Sequence, residues 1–369
     1  MRKTKRHGAL RWLRCDLHTH CEDHGMVEAH LQGAAERLDV VALTNHAQKP
    51  IFFEQHAMVE RARRLMPEGL VLFGMEWNAP LGVHANLVFP PGPNEAEHAY
   101  AFARTYDRLG SEGTPTPEGA LEALAALPHD ERPVLFFNHP SPGQWSSETI
   151  ARYLRADRGG VIVGIEALHG HQLHAKVAAL DPFVYPGSAA GGLCDDVYAQ
   201  ERPFALLAHS DFHVHKMSSQ PDYSLGVFNH TRAGVAPDCW TAADFFAALR
   251  GGRSCAAQGH WLELRDFCLG DAQMGDAQRA NDDPLRIAFA SDEAVGRVEL
   301  IGRLSASAPA AVLHDFGPLS AGAHALEWDV PAGATGFVRL RIAAASHRRP
   351  EPGPDGPKLF QTAAIILAA

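Results

Sequence analysis

The chain predicts an α/β protein with a β-rich tail, and three observations carry that reading. Up to residue 213, apolar runs of strand length alternate with stretches of helical periodicity. Many of these runs end in a histidine, glutamate or aspartate, as a buried parallel strand does when its C-terminal tip carries function. Past residue 258 apolar and polar residues alternate between Gly, Pro and Asp turns, the pattern of a small antiparallel β domain. Strands alternating with helices imply βαβ units and a parallel sheet, either open or closed into a barrel, with the polar strand tips gathered on one rim.

Taken in order, Cys15-Asp16-Leu17-His18-Thr19-His20 reads as the opening strand, on which residues i and i+2 share a face, so His18 and His20 can converge on one ion. Glu22 to Gly25 is a turn, and Val27 to Leu38 a short helix. Asp39 to His46 is a buried strand with a polar tip. Phe53 to Met66 is a helix, Gly69 to Glu76 a strand tipped by Glu76, and Val83 to Phe89 an apolar run that begins with His84. Residues 90 to 131 are richer in Pro, Gly and charge, with helices expected at Ala96 to Leu109 and Pro117 to Leu127. Strand-to-tip units return at Pro133 to His139, Val161 to Glu166 and Phe204 to His213. Thr241 to Arg250 is a helix with a threonine N-cap, closed by Gly251-Gly252. The tail offers strand-like segments beginning at Leu285, Arg297, His324, Gly336 and Thr362, and a four-proline surface loop from Arg348 to Lys358. The expected organisation is a basic leader (1–14), an α/β unit (15–258) and a β-rich domain (259–369), two domains being the natural expectation for 369 residues.

Bulk properties narrow the function. With 46% hydrophobic and 21% charged residues the composition is that of an ordinary globular protein. No apolar run approaches the roughly 18 residues of a membrane span, and the basic leader lacks the apolar segment of a signal peptide. A formal charge of −10 argues against non-specific nucleic-acid binding. Six cysteines without a Cys-x-x-Cys pair point to a reducing, cytoplasmic compartment. Cys15 and Cys21 bracket the His-x-His pair and read as packing residues, although Cys21 could also ligate zinc.

Imidazole and carboxylate together suit Zn, Mn or Fe. His18, His20, His46, Glu76, His84, His139, Asp211 and His213 are more ligands than one ion can use, so a cluster of two or three divalent metal ions follows.

Seven pieces in order resemble the motifs of the PHP (polymerase and histidinol phosphatase) superfamily: Asp16-Leu-His-Thr-His20, Thr44-Asn-His46, Gly74-Met-Glu-Trp77, Val83-His-Ala-Asn86, Asn138-His-Pro140, Gly164-Ile-Glu166 and Ser210-Asp-Phe-His213. The Glu-Trp, His-Ala-Asn and Asn-His-Pro details, with Leu249 to Arg253 and the β-rich tail, are most similar to its carbaryl-hydrolase-like branch. The resemblance implies a distorted (β/α)7 barrel carrying metals on its C-terminal rim. It implies one ion held by His18, His20, Glu76 and Asp211, a second by Glu76, His84 and His139, and a third by His24, His46 and His213, with Glu76 bridging. The chain departs from the family where Asn45 stands for the usual aspartate and where His24 replaces the usual acid, one residue early.

Around this set, Asp16 reads as a carboxylate accepting from a ligand histidine, and Glu166 as either an orienting partner or a structural ion pair. Of His169, His171, His174, His209 and His215, each alone reads as a solvated loop residue, yet one could act as general acid. The catalytic candidates are His213, His215 and Lys216, with Lys216, Arg232 and Arg253 able to clamp an anion. Trp77 and Trp145 read as packing. The expected reaction is hydrolysis by a metal-bound hydroxide, since no Gly-x-Ser-x-Gly elbow offers a covalent nucleophile. The superfamily resemblance favours a small phosphate mono- or diester, and the branch resemblance admits an aryl carbamate or carboxylic ester. A third reading is a metal- or ligand-binding protein without turnover. The expected partner is a small-molecule ester, with the tail supporting the barrel or a homo-oligomer.

Overall fold

The computed structural model describes residues 10–140, 145–168, 170, 187–200, 202–213, 224–280, 283–346 and 358–368. The first part of the chain runs β1 (Arg11–Asp16), β2 (Thr19–His20), α1 (Val27–His30), α2 (Ala34–Arg37), β3 (Val40–Leu43), α3 (Gln55–Leu65), β4 (Leu70–Ala79) and β5 (Val83–Phe89). It continues through α4 (Glu95–Tyr106), α5 (Pro117–Ala125), β6 (Val134–Phe137), α6 (Ser147–Ala156), β7 (Ile162–Leu168), α7 (Leu193–Tyr198), β8 (Ala205–Ala208) and β9 (Phe212–His213). Then come β10 (Asn229–Val235), α8 (Ala242–Arg250) and β11 (Ser254–Gln258). The tail is all strand among the described residues: β12 (Leu262–Leu269), β13 (Ala277–Arg279), β14 (Leu285–Ser291), β15 (Val295–Arg303), β16 (Ala311–Asp315), β17 (Gly322–Trp328), β18 (Gly336–Ala344), β19 (Leu359–Thr362) and β20 (Ile365–Ala368).

The protein is mixed α/β, built on one large mixed sheet in the order β8-β7-β6-β5-β4-β3-β1-β10-β11-β19-β18-β20-β13. The expected parallel pairing holds for β1/β3, β3/β4, β6/β7 and β7/β8. It fails at β5, which is antiparallel to both β4 and β6. The three-residue link Pro80–Gly82 is the reason: a parallel return needs a crossover of a dozen or so residues, a hairpin only a few. β10 and β11 are likewise antiparallel additions. The backbone ladder does not close into a ring. The short β2/β9 pair and side chains bridge the gap: Thr231 Oγ1 of β10 accepts from the Ala208 amide (2.9 Å) and lies 3.1 Å from the Ala208 carbonyl, and Ser254 Oγ of β11 donates to the Leu206 carbonyl (3.1 Å).

Two further expectations are corrected. The opening strand stops at Asp16, because Leu17 and His18 leave the ladder before Thr19–His20 pair with Phe212–His213. The helix expected over Val27 to Leu38 is two single turns, broken where Gly33 takes φ 68°, a left-handed conformation glycine adopts without strain.

Strand periodicity divides the core. Val41 and Leu43 join the layer packed under Met58, Val59 and Ala62 of α3, while Val40 and Ala42 face the opposite side with Leu13, Leu72, Val134, Val163 and Ala205. That second cluster is covered by Phe245, Phe246 and Leu249 of α8, whose start carries the expected threonine cap, completed by Asp244 as a capping box. The tail's strands do not stand apart from this sheet, since β19 pairs with β11. A three-stranded sheet, β12-β14-β17, packs Leu264, Ile287 and Phe289 against Val298, Leu340 and Ile365 of the large one. Arg339, fully buried, donates to both oxygens of Asp195 on α7 (2.7 and 3.2 Å) and to Gln361 Oε1 (2.7 Å). Most of the proline loop expected at Arg348 to Lys358 lies outside the described residues. No helix among the described residues is long and apolar enough to cross a membrane.

Candidate metal centre

Glu76 is the centre of the site. It lies within β4 rather than at its end, opposite Asn86 on β5 and bridged to His46 after β3, so its carboxylate stands where three strand tips meet. Its Oε1 is 2.8 Å from His84 Nδ1 and 3.2 Å from His139 Nε2. Its Oε2 is 2.9 Å from His46 Nδ1, 3.3 Å from His20 Nε2 and 3.5 Å from His18 Nε2. Asp211 Oδ1, beyond β8, stands 3.2 and 3.1 Å from the same His18 and His20 nitrogens.

Three overlapping groups result, their ligand atoms within 4.8 Å of one another: His18, His20, Glu76 and Asp211; Glu76, His84 and His139; His20, His46 and His213. Each could hold a metal ion. The first two contain the residues that the resemblance implies for two ions, and the third differs by one residue. His24 is not brought in. The Asp23 carboxylate accepts from Gly25 N (2.6 Å), winding residues 24–26 into a helical turn, and the half-exposed His24 ring meets Glu54 Oε2 at 3.0 Å instead. His20 takes the place foreseen for it.

The histidine nitrogens test whether the pocket suits cations. His18 Nε2, both nitrogens of His20 and His46 Nδ1 are buried without a hydrogen bond, although carboxylate oxygens stand 2.9–3.5 Å from three of these four atoms. Buried polar atoms are ordinarily hydrogen-bonded. Lone pairs that crowd carboxylates without forming hydrogen bonds to them fit coordination of a shared cation. The electrostatics agree. Burial works against charge on His18, yet Asp211, Glu166 and Glu76 carry its pKa well above the ordinary value. Burial likewise opposes ionisation of Glu76, and His46 and His18 outweigh it, holding the carboxyl well below its usual range. The pocket draws positive charge.

A second layer fixes the rings. Glu166 Oε1 accepts from His18 Nδ1 (2.8 Å) and faces His209 Nδ1 (3.2 Å), while its Oε2 accepts from the His139 amide (2.6 Å). With a proton held there, the neutral His18 ring would present its Nε2 lone pair to the centre. The contact of Glu166 with His18 is at once a hydrogen bond and an ion pair, so both readings open for it meet in one residue. His209, read from sequence as a solvated loop residue, is buried, with Nε2 at 3.1 Å from Thr231 Oγ1. His213 Nδ1 donates to the Asp211 carbonyl (2.9 Å), which leaves its lone pair on Nε2, and the ring stacks on His20 with centroids 4.1 Å apart. Asp16 accepts from the Ser210 amide (3.1 Å) and from the backbone of His18, so it meets a candidate ligand through its main chain. Asn138 Nδ2 reaches Asn86 Oδ1 (2.9 Å), and Asn86 Nδ2 holds the Leu17 carbonyl (3.1 Å) ahead of His18. Asn45, where the family pattern has an acid, instead ties the Cys21 carbonyl (2.8 Å).

No match was found in comparisons of the chain with protein-family models, curated proteins and solved structures. The geometry therefore stands by itself.

Two site residues hold a backbone conformation that favours glycine: His139 at φ 25° and Asp211 at φ 49°. Such residues cost about 1–3 kcal/mol each. Glu166 Oε2 on the His139 amide and the His18 carbonyl on the Asp211 amide (2.9 Å) hold them there. The centre is dry on one side, His18 and His20 being wholly buried, and opens past His46, His84 and His139, which are 20%, 30% and 17% exposed.

The other candidates fall elsewhere. His169, His171, His174, His215 and Lys216 lie outside the described residues. Cys21 is buried in the apolar core, where burial pushes its thiol up to about 11, and it joins none of the ligand groups. Trp77 and Trp145 are packed in the core and donate to the carbonyls of Tyr106 (2.8 Å) and Asn138 (3.1 Å). Arg253 lies against Gly251 at the end of α8, and Arg232 points to the opposite face of β10 from Thr231.

Proposed function

We propose that the chain is a metal-dependent hydrolase of the PHP type that its motifs resemble, acting on a small phosphate mono- or diester. One observation carries the reading: three groups of buried and partly buried histidines and carboxylates are linked through Glu76 and His20, and several of their ring nitrogens converge without hydrogen-bond partners. On this reading the curled sheet is the distorted (β/α)7 barrel of that superfamily.

The ligands would be His18, His20, Glu76 and Asp211 for one ion, Glu76, His84 and His139 for a second, and His20 or His24 with His46 and His213 for a third. Zn, Mn or Fe suits this donor set. Bound divalent cations would supply Lewis acidity, lowering the pKa of a water and neutralising the charge that develops on the attacked ester. Glu76 would span two ions, because its two oxygens face different histidines. Glu166 holds the His18 tautomer, and His213, with its proton on the Asp211 carbonyl, serves as a ligand. The partly exposed edge formed by His46, His84 and His139 admits the ester. Two dications outweigh Glu76 and Asp211, so the loaded centre is positive, which favours an anionic phosphoester over a neutral ester.

Elemental analysis of the purified protein is expected to give two or three metals per chain. With Zn or Mn present, p-nitrophenyl phosphate or bis-p-nitrophenyl phosphate should be hydrolysed faster than an aryl acetate or an aryl N-methylcarbamate. Turnover confined to the two carbonyl substrates would replace the phosphoesterase by the carbamate or carboxylic ester hydrolase that the branch resemblance admits. Full metal occupancy with no turnover of any of the four would leave a binding protein.

A further inference from the structure

Successive residues of a strand face opposite sides of the sheet. On β10, Thr231 turns toward His209 and the metal centre, so His230 and Arg232 turn away, where Arg232 Nε donates to His230 Nε2 at 3.2 Å. In the antiparallel register with β1, Arg14 stands directly opposite Arg232, and Trp12 opposite Gly234. Trp12, Arg14, Arg232, His260 and Trp261 line a surface cavity of about 520 Å³, whose lining also includes the exposed Glu263 and Asp292.

Inside the cavity Arg232 lacks a direct ion-pair partner among the described residues. Arg232 is only 9% exposed; its NH1 donates to the Leu262 carbonyl (2.5 Å), its guanidinium lies 5.4 Å from the Phe360 ring centre, and among the described residues no carboxylate pairs with it. Arg14 has Asp39 at 3.9 Å. His260 stacks on His230, centroids 4.5 Å apart, and faces the Gly226 carbonyl (2.7 Å). Like charges directly opposite on neighbouring strands destabilise a sheet, and a buried cation without a counter-charge is costly. Burial and the neighbouring arginine keep His230 neutral, well below its ordinary pKa. Two arginines thus stand side by side on the side of the sheet away from the metal ligands, with the carboxylates of Glu263 and Asp292 in the outer lining.

We propose that this cavity binds a small organic anion, its carboxylate or phosphate held by Arg232 and Arg14 and its apolar part lying against Trp12 and Trp261. The guanidinium supplies planar, charge-assisted donors suited to an oxyanion. The two carboxylates in the outer lining select against polyanions, so the ligand carries a single charged group. The site is separate from the metal centre and does not depend on the hydrolase reading.

The test is titration of the whole protein, as purified, with benzoate and with phenylphosphonate, followed by calorimetry and tryptophan fluorescence. One saturable site with a fluorescence change is expected, weakened at least about tenfold in Arg232→Gln, as loss of charge-assisted hydrogen bonds implies, and weakened also in Arg14→Gln. Benzoate binding identifies a carboxylate ligand, phenylphosphonate binding a phosphate. Absence of saturable binding by both probes overturns the proposal. So does binding that persists unchanged in both arginine variants, since it then belongs to the metal centre. Should Arg232→Gln fail to fold, Arg14→Gln, at a position 40% exposed, decides alone.

Discussion

Glu166 aims His18, faces His209 and pins the amide of a third residue, His139. Its two histidine side-chain partners are 148 and 43 residues away in the chain, so no local pattern reveals either of its roles. Most of the candidate ligands are easier to read, because His46, His139 and Asp211 follow apolar runs, whereas His84 opens one and Glu76 lies inside β4. His30 is the counterpart on the opposite side of legibility: a buried histidine at the end of a helical turn, 3.0 Å from Thr19 Oγ1 beside the ligand His20. Burial, reinforced by His20, pushes its pKa down to about 3 from 6.5. The depressed pKa means that the unfolded chain takes up this proton first. The associated stability is therefore complete above pH 6.5 and drains away as pH falls toward 3. Between pH 7 and 4.5 the wild-type protein should lose roughly 2–3 kcal/mol more than His30→Gln, which keeps a hydrogen-bonding group but cannot titrate. Urea unfolding at the two pH values measures the difference. Equal losses in both proteins would remove His30 as the cause.

At the level of elements, the site depends on a glutamine that carries no functional signature. Gln55, the first residue of α3, donates to the carbonyls of Leu43 on β3 (3.0 Å) and Gly74 on β4 (2.7 Å), and accepts from the Asn45 amide (2.9 Å). It thereby binds two strands together directly beneath His46 and Glu76. Gln55→Leu has nearly the right volume but strands three buried backbone groups, so a loss of roughly 3 kcal/mol or more is expected in denaturant unfolding, with weaker metal retention on dialysis. An unchanged unfolding midpoint would show that water replaces the side chain. The elements themselves were largely legible: β3, α3, β6, β7 and α8 fall where periodicity and the Thr241 cap place them. The direction of β5 is legible in the shortness of Pro80–Gly82, which admits a hairpin and not a parallel crossover. The break at Gly33 was hidden because apolar spacing continues across it.

For the whole molecule, the sheet runs without interruption from the strands that carry ligands, through β11 and β19, into the tail. Alternation announced the tail's strands, but strand pairing across more than a hundred residues has no local signal, and neither does the burial of Arg339 on Asp195. A chain ended after Gln258 would bare the edge of β11 and leave Asp195 buried without its arginine. Such a fragment should aggregate or unfold, as size-exclusion chromatography and circular dichroism would report; a monomeric, cooperatively unfolding fragment would mean that the tail is dispensable. The gap in the sheet has a consequence of its own. Where β8 meets β10 and β11, hydroxyl groups of Thr231 and Ser254 stand in for a backbone ladder. His18 and His20 extend from the β1 side of that seam, and Asp211 from the β8 side. An ion held among them would be a clasp across that seam, so that losing it would loosen the protein along the edge that carries the candidate site.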